Sequence, residues 1–321
     1  MSHLNIIYDL DVEPVNFGIL LALVGADIYR EELGLERCRL FILMSPTDGF
    51  RNKSARDMQI NIEEKYWRLW HITKTSARLL PTCDSVSVFD DRAQFQSLLP
   101  SLRPHVAPKR FSIEPRVRVM LPKHKQIIGA GNSGTNIQRL KAPPYSIMAA
   151  QRWKLAHADE KPTISITLRQ STFHAGRNSN IGQWIAFAEY LQNSGFTPVF
   201  VPDSETAIMG ETELPPHLIT NLPAAMDLEF RTAFYEVCDL NFFVGNGPCL
   251  LPQLNKHIDY ILCNLLIPGF PNSTPEHFDR IGLPVGSQMP GQENGYAEIV
   301  WKSDSQENLI QAFEQWRSSR G

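Results

Sequence analysis

Apolar positions along this chain fall into two kinds of run, short and continuous or spaced at three and four, and the two kinds alternate. Residues 4–8 (LNIIY) and 40–44 (LFILM) read as strands, the second covered on both faces, and 85–89 predicts a third. Between them Ile19, Leu20, Leu23, Val24 and Ile28 recur at helical spacing, with Gly34 placed to close that helix. The stretch 57–80 predicts one long helix with Tyr66, Trp67 and Trp70 in its middle and a stop before Pro81. Asp90 and Asp91 then cap a helix that ends near Pro100. A β-α-β-α-β-α order of this kind implies a parallel sheet with right-handed crossovers.

Residues 101–144 are less regular, rich in proline and biased toward basic residues, with short strands expected at 116–120 and 126–128. A helix over 145–157 leads into a second half that repeats the alternation. Residues 163–168 (TISITL) alternate hydroxyl and branched apolar side chains, as a half-buried strand does. Further strands are expected at 197–201, 240–244, 260–266 and 297–301. The intervening helices are expected at 181–192, 228–238 and, last, 305–317. The fold class is therefore α/β, two Rossmann-like parallel-sheet domains facing one cleft. Residues 1–144 form the first domain, 145–162 a linker helix with the break after it, and 163–321 the second.

Composition narrows the classes. At 321 residues the chain suits two domains, and 43% hydrophobic with 20% charged residues describes an ordinary globular protein. A net charge of −3 argues against nucleic acid as a general partner. Five cysteines, odd in number and without CxxC spacing, read as reduced thiols, with no disulfide framework and no zinc site. Neither a signal-peptide pattern nor an apolar run of about 18 residues is present. The expectation is a cytoplasmic protein without a membrane span.

The chemistry concentrates in two loops of the second half. The strand 163–168 ends in Arg169, and a polar loop carries His174 and Arg177. Asn178, Ser179 and Asn180 then stand as candidate caps of the next helix. A strand end, arginines and a helix N-terminus suit an anion, because guanidinium forks match phosphate oxygens and free helical N–H groups point outward. The plain alternative is arginines paired with surface carboxylates, and a loop histidine that is merely exposed. The second loop is Gly245-Asn246-Gly247-Pro248, where glycine lets backbone approach a ligand and Pro248 suits the first helical turn; a tight packing turn is the alternative. In the first half Asp11 and Asp48 follow strands and are general-base candidates, or turn formers. Gly129-Ala130-Gly131-Asn132-Ser133-Gly134 matches the dinucleotide fingerprint by letter, but Pro143-Pro144 cuts the helix it needs. The next convincing strand ends in Arg169, not in an acid. A metal-ligand cluster is not expected.

The segment ITLRQSTFHAGRNSN resembles the arginine motif of fucosyltransferase-like GT-B glycosyltransferases. LNFFVGNGPCLLPQL resembles the glycine turn of the heptosyltransferases, and WKSDSQENLIQAFEQ resembles the ending common to these families. The likeness covers about residues 160–320. Two departures are a single Arg-Gln pair where Arg-Arg is frequent, and Asn246 where an acidic or hydroxyl residue is usual. The resemblance implies a sugar transferase. Its nucleotide-sugar donor would be held by the second half (Arg169 and Arg177 on the diphosphate, Gly245–Pro248 beside base or ribose). A glycan, lipid-linked or surface-polysaccharide acceptor would meet the first half, and peripheral membrane contact would suit such an acceptor. Asp48, or next Asp11, would serve as base, and no cofactor or metal would be needed beyond the nucleotide sugar. The resemblance further implies a final helix returning to the first domain. A catalytically silent nucleotide- or glycan-binding protein of the same fold is the alternative, and an NAD(P)-dependent oxidoreductase a third reading.

Overall fold

A computed structural model of the chain describes residues 2–113, 120–158, 160–172, 174–209 and 214–320, and its contacts divide into two units, Met1–Leu140 and Lys141–Gly321. In the first unit the strands are β1 (His3–Asp9), β2 (Arg37–Leu43), β3 (Cys83–Phe89) and β4 (Val106–Ala107). They form an all-parallel sheet in the order β3-β2-β1-β4. The helix Gly18–Glu32 makes the first crossover and buries an unbroken run from Ile19 to Asp27. A Cβ added at Gly25 in this helix would lie 2.5 Å from two side-chain atoms of Pro122. Gly25→Ala is therefore expected to destabilise this unit by about 1–3 kcal/mol, although alanine is the better helix former. The midpoint of its urea unfolding measures this.

The long helix expected over 57–80 is broken. Asp57 is drawn back by Arg51 (2.9 and 3.1 Å) and by the backbone N–H groups of Lys53 and Ser54. Asn61 then caps a new start at Ile62–Arg68 by accepting from Glu64 N at 2.7 Å. The helix continues through a π turn, Leu69–Lys74, and ends in the 3-10 turn Thr75–Leu79. The strand expected at 126–128 is instead inside the helix His124–Asn132. Residues 116–119 of the other expected strand lie outside the described residues. Asp91 caps the helix Arg92–Leu102, as its position predicts.

In the second unit the helix Pro144–His157 packs on the helix Leu228–Val237, so the expected linker helix belongs to this unit. Its strands are β5 (Thr163–Thr167), β6 (Thr197–Val201), β7 (Ile219–Thr220), β8 (Leu240–Val244), β9 (Tyr260–Cys263) and β10 (Ala297–Ile299). They form a parallel sheet in the order β10-β9-β8-β5-β6-β7. The expected half-exposure of β5 is wrong, for all five residues are buried. Its hydroxyl face is satisfied inside the protein. Ser165 Oγ donates to Asn241 Oδ1 (2.5 Å), and Thr167 Oγ1 meets the Tyr235 hydroxyl at 2.7 Å. Its apolar face joins Trp184, Phe187, Phe242 and Phe313 in one core. Phe313 stands edge-on to Phe187 and Phe196, and Tyr190 donates to Glu314 (2.7 Å). The final helix, Gln306–Ser318, thus packs on Ile181–Asn193 within this unit.

Candidate functional site

The chain runs outward from β5 on both sides, to β6 on one and later to β8 on the other, so the topological switch point lies between β5 and β8. At the carboxyl ends of such strands the following loops part, and ligands of open α/β sheets bind there. The two loops that meet here are the two singled out by sequence. Arg177 Nη2 donates to Gly245 O at 2.7 Å, across 68 positions of chain, and Asn246 Nδ2 reaches Leu168 O at 3.4 Å.

The two arginines differ in what surrounds them. Arg169 is 7% exposed, and its backbone closes on Ser179 (N to Oγ and Ser179 N to O, both 2.9 Å). Its Nη1 donates to His174 O (3.2 Å) and to Asn178 Oδ1 (2.5 Å). Asn178 also exchanges hydrogen bonds with the Ser171 backbone, each 3.1 Å. Arg169 is therefore built into the loop it was expected to serve. Arg177 is the opposite case. Among the described residues no carboxylate pairs with it, and its buried Nε finds no acceptor. Burial pushes its pKa down, and only the Cys249 thiol opposes this. A partly buried guanidinium without a counter-charge is costly, and an incoming anion would relieve that cost. Beside it Asn246 Oδ1 is buried and equally without a partner among the described residues.

Two expectations for this loop need correction. Asn178 and Ser179 turn their side chains into the loop and are not helix caps, and Asn180 occupies the cap position of Ile181–Asn193 without a side-chain hydrogen bond. The start of that helix already faces a carboxylate, for Asp304 Oδ2 accepts from Asn180 N (3.2 Å) and Trp184 Nε1 (2.9 Å). Asp304, 6% exposed, is a residue that sequence reasoning missed, since it lies 120 positions away from its partner. His174 is exposed in a left-handed conformation (φ 55) with its ring edge-on to Phe270.

In the second loop, a Cβ at 245 would lie 3.2 Å from Leu265 Cδ2, so a larger residue there would press on that side chain. Gly247 and Pro248 open the 3-10 turn Gly247–Cys249, with Pro248 in its first turn. The five cysteines are free, and burial pushes the Cys249 thiol up to about 12, which keeps it protonated and unreactive.

In the first unit Asp9 is held by Arg92 through two bonds of 2.9 Å. Asp11 Oδ1 accepts from Ser45 Oγ (3.0 Å), and Lys53 Nζ lies 3.3 Å from Oδ2. Asp48 is exposed, with φ 51, at the tip of the turn that Ser45 and Gly49 close. A pocket beside these loops is lined by Glu13, Asn16, Phe50, Arg51, Lys65 and Arg68. The fingerprint at 129–134 closes the helix His124–Asn132 where a dinucleotide site would open one, so the backbone that would cradle a pyrophosphate is absent there. Among the described residues no three His, Cys, Asp or Glu side chains are grouped to hold a metal ion.

No family model and no curated protein matches the chain. Solved structures do. The ADP-heptose LPS heptosyltransferase II of E. coli aligns with a TM-score of 0.56 at 10% identity, over 99% of this chain and 100% of its own. A glycosyl transferase family 9 protein of Veillonella parvula (TM-score 0.44, 10% identity, 99% and 89% covered) and an E. coli heptosyltransferase solved with ADP (0.45, 11%, 98% and 98%) also match. The first likeness shows that the fold is shared from end to end.

Proposed function

We propose that the protein is a glycosyltransferase of GT-B type that moves a sugar from a nucleoside-diphosphate donor to a glycan or lipid-linked acceptor. The observation that carries this reading is Arg177, a half-buried cation at the switch point of the second sheet with no carboxylate partner among the described residues. The shared fold with a heptosyltransferase supports it, and that protein's ADP-heptose puts ADP first among the nucleotides to try. In this scheme Arg177 meets the diphosphate, and Gly245–Pro248 with Asn246 borders the rest of the nucleotide. Arg169, His174 and Asn178 shape the loop that presents Arg177. Negative charge that develops on the leaving diphosphate is stabilised by a guanidinium fixed beforehand in a site with little water. Asp11 or Asp48 of the first unit takes the proton of the acceptor hydroxyl. The scheme calls for no metal and no cofactor.

The test compares ligands with and without phosphates. A charged hydrogen bond is worth about 1.5–3 kcal/mol, so Arg177→Ala should weaken ADP roughly ten- to two-hundred-fold. Adenosine should bind the variant as it binds the parent. Without ligand the variant should be as stable as the parent or more so, because an uncompensated cation has gone. Arg169→Ala should behave differently, lowering the unliganded melting midpoint and the affinity for both ligands. Equal losses of ADP and adenosine in Arg177→Ala would overturn the assignment, as would no binding of any nucleoside diphosphate. Release of diphosphate from a nucleotide sugar separates an enzyme from a silent binder.

A further inference from the structure

Most of the second unit's aromatic side chains are in its core, but one stretch of the first unit keeps several outside. Ile62, Tyr66 and Trp70 follow one another at four-residue spacing along the helix that starts at Ile62 and runs on through the π turn, and they are 45%, 42% and 44% exposed; Met58, 66% exposed, stands in the short helix Ala55–Gln59 before it. At that spacing side chains share one face of a helix. The helix Ile62–Arg68 buries no side chain at all, yet it contains an isoleucine, a tyrosine and a tryptophan. The π turn that continues this helix anchors it by burying Leu69, Ile72 and Thr73, so the face bearing Ile62, Tyr66 and Trp70 is held toward the outside.

We infer that this segment docks on an anionic lipid surface. Its charge selects that occupant. Residues 51–78 carry seven Lys or Arg against three Asp or Glu, a net +4 in a chain whose total is −3. Lys74 Nζ lies 4.4 Å above the Trp70 ring, and Lys65 flanks Tyr66 in the same turn. Lysine is depleted in protein–protein interfaces, whereas at a bilayer its stem lies along apolar surface while the ammonium meets lipid phosphates. Tryptophan and tyrosine are the side chains that settle at the level of the headgroups. Among the described residues no helix is long and apolar enough to cross a membrane, so the segment lies on the surface, as an interfacial helix does. The inference is independent of the sugar-transfer reading, because binding to lipid is measured without substrate.

The experiment is co-sedimentation of the full chain with phosphatidylcholine vesicles, or with vesicles rich in phosphatidylglycerol. Partition into the anionic vesicles should exceed that into neutral ones by roughly ten-fold or more, and should fall steeply with added salt. Tyr66→Ser with Trp70→Ser should remove most of the binding. Lys65→Glu with Lys74→Glu should abolish the preference for anionic lipid. Melting midpoints establish that each variant is folded, and Met58→Ser with Ile62→Ser serves as the alternative should the aromatic pair fail. No partition, equal partition into both vesicles, or unchanged binding by the serine variants would overturn the proposal. So would a chain dimer that the serine variants dissociate, since a second copy would then cover this face.

Discussion

Changing Asp11 to Asn is expected to slow the proposed sugar transfer by roughly 10²–10⁴-fold, the span that follows loss of a general base, while the Kd for ADP stays nearly unchanged. Asp11 follows the carboxyl end of β1, where its carboxylate is aimed by Ser45 Oγ and faces Lys53. A fixed carboxylate that is still 24% exposed can meet an acceptor hydroxyl. Asp48 is the competitor, exposed at its turn, and it provides a clean control. Asparagine accepts the left-handed conformation at φ 51, so Asp48→Asn removes charge without disturbing the turn. A normal rate in Asp11→Asn with a slow Asp48→Asn moves the role to Asp48. Normal rates in both remove the base from these two loops.

The largest effect on stability should come from a buried carboxylate of the first unit. Asp27, 3% exposed in the helix Gly18–Glu32, accepts from Arg30 Nε (2.7 Å), Thr82 Oγ1 (2.5 Å) and Arg139 Nη1 (2.9 Å). It ties that helix to the approach to β3 and to the last residues of the first unit. Asp27→Ala leaves two guanidinium groups facing a site without its carboxylate and should cost about 3–5 kcal/mol. Two units need not unfold together, so the first transition in urea is the one to follow. Burial alone would raise the Asp27 pKa, but the bonds from Arg30, Thr82 and Arg139 outweigh it and hold it below the usual aspartate value. The folded state therefore binds this proton less readily than the unfolded chain. The stabilisation is complete above the unfolded value of about 3.9 and is lost as pH falls through the lower folded value. The parent should lose stability across that acid window, and Asp27→Ala should show a flatter limb there.

The sequence by itself determined the alternation of strands and helices and much of their placement. The strands at 197–201 and 240–244 have the bounds that their apolar runs predict, and Asp91 and Ser305 cap the helices that follow them. These signals are local, since a few consecutive residues fix periodicity, capping and the stop. For the same reason the sequence marked both loops that meet at the switch point of the second sheet, each being a polar break after a strand. Strand order was not local, and it decided the rest. Because β5 lies beside β8, Arg177 reaches Gly245 O and has no carboxylate among the described residues, while Arg169, eight positions earlier, is consumed by Asn178 and His174. The letters at 129–134 match a fingerprint whose backbone they do not form, because a helix ends where a strand had to. The hydroxyl face of β5, read as exposed, is covered because Tyr235 and Asn241 arrive from elsewhere in the chain to satisfy it. A charged or polar side chain takes its role from the partner that folding brings to it, and that partner is seldom a neighbour in sequence.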